Sequence, residues 1–134
     1  ISSDWETPKE AKREYLEYFF NNVISETMDS ISQTLGLSSW TAHDAWYQRY
    51  SEQGTHGWHN HGKTQFANSY FLELPDSTYK TEIVGSNGEI IEYDAKEGDV
   101  ITFPAWLKHR SKPNGKERKT IIAFNSSFGL GKND

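Results

Sequence analysis

The 134-residue sequence predicts a mainly β domain: a sandwich or barrel of about eight short antiparallel strands, with a long N-terminal α-helix packed on one sheet. Three observations lead there. Apolar residues recur with a helical period through the first third, the period falls to two after Ser39, and turn residues then arrive at short intervals. No repeat, low-complexity stretch or linker interrupts the chain. Helix and strands are therefore expected to form one body over 1–134, with helical support over 1–38, the β core over 39–127 and a tail over 128–134.

The helix is expected to start at Thr7-Pro8-Lys9-Glu10, where a capping residue, a proline and a glutamate satisfy free N–H groups and suit the helix dipole. Leu16, Phe19, Phe20, Val23, Ile24, Met28, Ile31 and Leu35 then supply one buried face, as one helix or as two with a break near Ser25, and Gly36 permits a left-handed stop. Strands follow near 44–50, 56–61, 66–73, 79–84, 89–94, 99–103, 106–110 and 118–126. Asn87-Gly88 is a strong hairpin signal, and Pro75-Asp76, Glu97-Gly98 and Asn114-Gly115 read as turns.

Composition narrows the chemistry. With seven Phe, seven Tyr and five Trp, the core is expected to be small and aromatic. The absence of cysteine excludes disulfides, thiol nucleophiles and thiolate-bound metal, leaving His, Asp and Glu as metal ligands. A net charge of −5 argues against nonspecific nucleic-acid binding. The charge is uneven, with 7 basic and 17 acidic side chains over 1–107 and 7 basic and 2 acidic over 108–134, so the C-terminal fifth is suited to receive an anion. No apolar run approaches the roughly 20 residues that span a bilayer, and no basic-then-apolar leader is visible, so a soluble chain, trimmed ahead of Ile1, is expected.

Histidine placement carries the functional signal. In His56-Gly57-Trp58-His59-Asn60-His61, an extended strand puts His59 and His61 on one face, where both can reach one ion. His109 follows Gly98-Asp99-Val100-Ile101-Thr102-Phe103-Pro104, a strand and proline turn able to return a third imidazole to the same cavity. Three neutral imidazoles suit Fe(II), Zn(II), Ni(II) or Cu(II) and leave positions open for substrate. Surface histidines two apart are common, and the distant partner is what lifts this pair above that background. His43 reads as structural or exposed, and His56 as a candidate to act behind the ligands or on the substrate side.

From Trp46 to Asn125 the sequence resembles the Fe(II), 2-oxoglutarate-dependent dioxygenases, in particular the small prolyl-hydroxylase-like branch of bacteria and phages. The resemblance rests on Trp46, Tyr50, Gly54 and His59-x-His61; on Ser69-Tyr70-Phe71-Leu72-Glu73-Leu74-Pro75; on Gly98-Asp99, Phe103-Pro104, His109 and Pro113; and on Arg118-Lys119 with Phe124-Asn125. It implies a double-stranded β-helix, or cupin-like jelly roll, consistent with the eight strands. It also implies iron held by His59, His61 and His109, O2 as co-reactant, and oxidative decarboxylation of 2-oxoglutarate to succinate and CO2 coupled to hydroxylation of a C–H bond. A basic residue on the last strand would pair with the far carboxylate of 2-oxoglutarate. Arg118, Lys119 and Thr120 are the candidates for that end. Arg118 and Lys119 point to opposite strand faces, with a slight preference for Arg118, because a guanidinium grips a carboxylate with two parallel hydrogen bonds.

Three departures from the family pattern stand out. His61 occupies the slot of the usual carboxylate ligand, making the site one unit more positive; if His61 is not a ligand, Asp44 or Glu52 is the nearest carboxylate in sequence. Phe71 stands where many relatives have a tyrosine that contacts the co-substrate. The short chain also leaves little material for a lid. Trp40, Trp46, Phe66, Phe103, Trp106 and Phe124 are expected in the core, Trp58 at the pocket wall, and Tyr47, Gln48, Arg49, Tyr50 and Asn68 among pocket-lining candidates. The expected partners are a small-molecule co-substrate, a prolyl or other peptide or protein substrate, and a second copy of the chain as a homodimer, with neither nucleic acid nor membrane. The availability of Fe(II) and 2-oxoglutarate suggests the cytoplasm. Two rivals share the fold. One is a cupin-type metal enzyme or binding module, suggested by His59-x-His61 with Gln65 and by Gly98, Pro104 and His109; the other is a noncatalytic structural jelly roll.

Overall fold

A computed structural model describes residues 1–4 and 13–129; the expected Thr7-Pro8-Lys9-Glu10 helix start lies outside the described residues. The fold is a mainly β jelly roll of two antiparallel sheets. Its strands are β1 (Ser2–Ser3), β2 (Ser39–Tyr50), β3 (His56–His59), β4 (Phe66–Glu73), β5 (Glu82–Ile83), β6 (Val100–Pro104), β7 (His109–Ser111) and β8 (Lys119–Gly129). The larger sheet has the order β1-β2-β8-β4-β6 and the smaller β3-β7-β5.

The helical segment is continuous but not uniform: α1 (Glu14–Tyr18), a π-helical stretch (Phe19–Ile24) and α2 (Ser25–Thr34). The wide π turn has a packing reason. Phe19 and Ile24 are five positions apart, a spacing that an α-helix would rotate off one face and an i→i+5 turn restores. Phe19, Ile24 and Met28 consequently form one buried line against Ile122, Phe124 and Phe128 of β8. Val23 and Leu35, expected on that face, are exposed instead. Gly36, at φ +73°, ends the segment as the sequence suggests.

Strand β8 divides the interior. Its even positions Ile122, Phe124 and Phe128 pack under the helix, while Ile121 and Ala123 join Tyr50, Phe71 and Leu74 inside the barrel. The strand runs to Gly129, so Phe128 belongs to the sheet rather than to a tail. Three of the expected strands are shorter than the sequence suggested, with β3 ending at His59, β5 reduced to two residues behind a 3-10 turn (Ser77–Tyr79) and β7 starting at His109. The strand expected over 89–94 is only a bridge between Val84 and Ile90. The Asn87-Gly88 hairpin does close, with Gly88 at φ +81° and Gly85 N–H donating to Glu89 O, but a two-residue β5 offers the returning chain no ladder to extend. Strand β1 was not anticipated, and two residues carry no periodicity to read.

Candidate metal centre

The three histidines singled out in the sequence converge. His59 and His109 are direct cross-strand partners between β3 and β7, and the next turn is tied down by His61 N–H donating to Ala105 O at 2.9 Å. Their ring centroids are 4.1 Å (His59 to His109), 4.9 Å (His61 to His109) and 5.5 Å (His59 to His61) apart. One ring nitrogen of each lies within 4.8 Å of the others, and this is the one such group of His, Asp or Glu among the described residues. Neither Asp44 nor Glu52 belongs to it.

The donor chemistry of the three rings fits a divalent metal. A carbonyl oxygen only accepts, so the Nδ1 atoms of His59, 2.7 Å from Gly57 O, and of His109, 3.3 Å from Leu107 O, carry the proton. His61 Nδ1 lies 2.6 Å from Asn125 Oδ1. In each ring Nε2 is then the nitrogen with the free lone pair, the arrangement in which imidazoles bind metals. Burial pushes His109 down to about 3, with the neighbouring imidazoles adding to the effect, and burial also lowers His61 against the opposing Asn125 hydrogen bond. Both rings therefore stay neutral near pH 7, as ligation requires.

The wall around the group comes from alternate positions of β2 and β8. Trp46, Gln48 and Tyr50 line the cavity with Asn68, Phe103, Ser111, Ile121 and Ala123, and Trp46 stacks on His61 at 6.0 Å. Tyr47 and Arg49, also considered as lining, do not line it; Tyr47 packs edge-on against Tyr15. A bulge in β3 sets two residues, Gly57 and Trp58, against one, Arg110, on β7 between the His56–Ser111 and His59–His109 pairs. His56 consequently lies on the same face as His59, its ring stacked at 3.9 Å, instead of opposite. Trp58, next to His59 in the strand, points the opposite way by alternation, out to where Arg110 covers its ring at 4.7 Å, so it does not wall the pocket. Trp106, expected in the core, is 63% exposed. His43 is exposed and bonds Ser127 Oγ. Gln65, the fourth residue of the cupin-like pattern, accepts from Phe128 N–H and stands outside the histidine group.

The two basic candidates separate cleanly. Arg118 is at the surface, held by Glu73 through Nε–H to Oε1 and Nη2–H to Oε2, both at 2.9 Å. Thr120 donates to the same carboxylate, so the Arg-x-Thr pair occupies the outer side of β8, and the preference for Arg118 runs against its placement. Lys119 points inward and is 1% exposed. Its Nζ donates to Tyr79 O at 2.8 Å and lies 4.3 Å above the Tyr50 ring. Among the described residues no carboxylate pairs with it, and burial, with the charge of Lys112, brings it down to about 8. Tyr50, fully buried, has its hydroxyl fixed on Gln48 Oε1 at 2.9 Å and links the lysine to the histidine cavity. Phe71 is buried beside it, while Tyr70 packs against Phe19 under the helix.

No protein-family model and no curated protein matches the sequence. Solved structures do. An oxidoreductase of the 2OG-Fe(II) oxygenase family from Burkholderia pseudomallei superposes with a TM-score of 0.71 at 11% identity, covering 87% of this chain and 57% of that one. The viral collagen prolyl hydroxylase of Paramecium Bursaria Chlorella virus-1, in its 2OG complex, gives 0.63 at 14% identity, covering 97% and 80%. A Pseudomonas putida prolyl-4-hydroxylase gives 0.56 at 15%, covering 92% and 68%. The chain thus spans little more than half the length of the Burkholderia protein, and at these identities the likeness establishes a shared fold.

Proposed function

We propose that this chain, which has the fold of the 2-oxoglutarate, Fe(II) oxygenases, is an Fe(II)- and 2-oxoglutarate-dependent dioxygenase that hydroxylates a C–H bond. The carrying observation is a buried, carboxylate-free ammonium, Lys119, on the inner face of the barrel that holds the His59, His61 and His109 group. A buried charge without a counter-ion is costly unless an anion completes it. A small diacid has the right chemistry to do so, with one end among the imidazoles and the other on the lysine.

His59, His61 and His109 would hold the metal. Bound Fe(II) would supply O2 activation coupled to decarboxylation of the oxo acid, with succinate and CO2 released. The protein's own part is electrostatic and steric. Neutral Nε2 lone pairs keep the site cationic once metal is present, which favours a dianion over a neutral ligand. Lys119 takes the far carboxylate as a charge-assisted pair, in the role the sequence had leaned towards giving Arg118. Phe71, Ile121 and Ala123 keep water from that pair, and Tyr50, held by Gln48, takes the place of the tyrosine missing at Phe71.

Peptidyl proline is the first substrate to test, since two structures with this fold are prolyl hydroxylases; a cytoplasmic setting fits the need for Fe(II) and 2-oxoglutarate. No helix among the described residues is long and apolar enough to cross a membrane. Anaerobic calorimetric titration of 2-oxoglutarate, with and without Fe(II), tests the proposal. Metal-enhanced binding is expected. Metal binding with no affinity for the oxo acid would instead favour a cupin-type enzyme.

A further inference from the structure

The third histidine is not left to orient itself. On β2 the register against β8 shifts between Ala42 and Ala45, so that two residues, His43 and Asp44, face one, Asn125, in a bulge. There the Asp44 carboxylate meets Asn125, whose Nδ2–H donates to Asp44 Oδ2 at 3.4 Å while its Oδ1 faces His61 Nδ1 at 2.6 Å. The chain of contacts has one permitted polarity. A carboxylate only accepts, so Asn125 must offer it the NH2 end, which turns Oδ1 toward the imidazole and requires His61 Nδ1 to be the donor.

We infer that Asp44, acting through Asn125, is a positioning pair that fixes His61 as its Nδ1–H tautomer and so delivers the Nε2 lone pair to the histidine group. Among the described residues no carboxylate belongs to that group, and the bulge restores one at one remove: the negative charge is felt by His61 without occupying a coordination position. Outer partners of this kind set ring orientation and ligand basicity, and losing one typically costs 10–100-fold in metal affinity. The link to metal affinity rests on the metal-centre reading above; the tautomer does not.

The test is long-range 15N–1H correlation of the histidine side chains in the metal-free full chain, followed by Co(II) titration. Wild type is expected to show His61 protonated at Nδ1. Asp44→Asn lets the Asn125 amide turn either way, so a population protonated at Nε2 is expected to appear, with a several-fold loss of Co(II) affinity. Asn125→Leu is expected to lose the Nδ1–H preference and about 10–100-fold in affinity. Asn125→Asp, which keeps an acceptor in place should the leucine variant fail to fold, is expected to retain the wild-type tautomer whether residue 44 is Asp or Asn. A wild-type His61 protonated at Nε2, or a tautomer indifferent to Asp44→Asn, overturns the inference. The expected tautomers with no Co(II) binding by wild type would uphold the positioning pair and overturn the metal centre.

Discussion

Replacing Lys119 by methionine separates an anion site from an ordinary core position. In the ligand-free protein, burial holds the ammonium at about 8 against an ordinary value of 10.5, a difference of roughly 3 kcal/mol. The sign follows from proton counting: between these values the unfolded chain binds more protons, so stability rises with pH there, and at pH 7 the folded protein carries the whole penalty. Methionine has similar length and no charge. Its substitution removes that penalty but leaves Tyr79 O without its donor and ends the contact with the Tyr50 ring, together about 1–2 kcal/mol. The ligand-free variant should therefore be as stable as wild type or about 1–2 kcal/mol more stable by urea unfolding at pH 7. Binding should move the other way. Loss of a buried charge-assisted pair costs about 2–4 kcal/mol, or roughly 30–1,000-fold in the Kd for 2-oxoglutarate measured by anaerobic calorimetry. Arg118→Met, which breaks only a surface ion pair, should leave both oxo-acid binding and stability essentially unchanged. Unaltered oxo-acid affinity in Lys119→Met, or its transfer to the Arg118 variant, would refute the reasoning.

Three further outcomes follow from the packing and the histidines. Phe124 is fully buried, edge-on to Phe19 and Phe20, so Phe124→Ala should cost about 3–5 kcal/mol in denaturant unfolding by opening a cavity between helix and sheet. His109 lies at about 3 in the folded protein against 6.5 ordinarily. The unfolded chain therefore takes up the extra proton as pH falls below 6.5, and the metal-free protein should lose about 2 kcal/mol by pH 5 through this group, a loss that His109→Phe should not show. Divalent metal binds only the neutral imidazoles, and His109 stays neutral in the folded protein until the pH approaches 3, so proton competition at this ring should not diminish the Co(II)-induced rise in Tm at pH 5.

Much of the candidate site was legible because its signals are local. His59 and His61 share a face by strand alternation, and the Gly98 to Pro104 strand and turn place His109 opposite His59. The phase of β8 was harder. Arg118 and Lys119 are adjacent, so the inward face is decided by register against β2 and β4, and the decisive marker is Asn125, six residues after Lys119 on the inner phase and in contact with His61. Counting back from Phe124-Asn125 selects Lys119; counting forward from His109 selects Arg118. Bulges account for most of the rest. One extra residue in β3 brings His56 onto the face of His59, and another in β2 brings Asp44 to Asn125, and neither leaves a mark in hydropathy. The helix face was misread at Val23 for a related reason, because a π turn shifts the period that locates it.

The central claim is that His59, His61 and His109 would hold an iron that the oxo acid chelates. Anaerobic visible spectroscopy of the full chain with Fe(II) and 2-oxoglutarate tests it most directly. A metal-to-ligand charge-transfer band should develop in wild type and be missing from His109→Ala. No band in wild type, or one of equal intensity in the variant, would contradict the account.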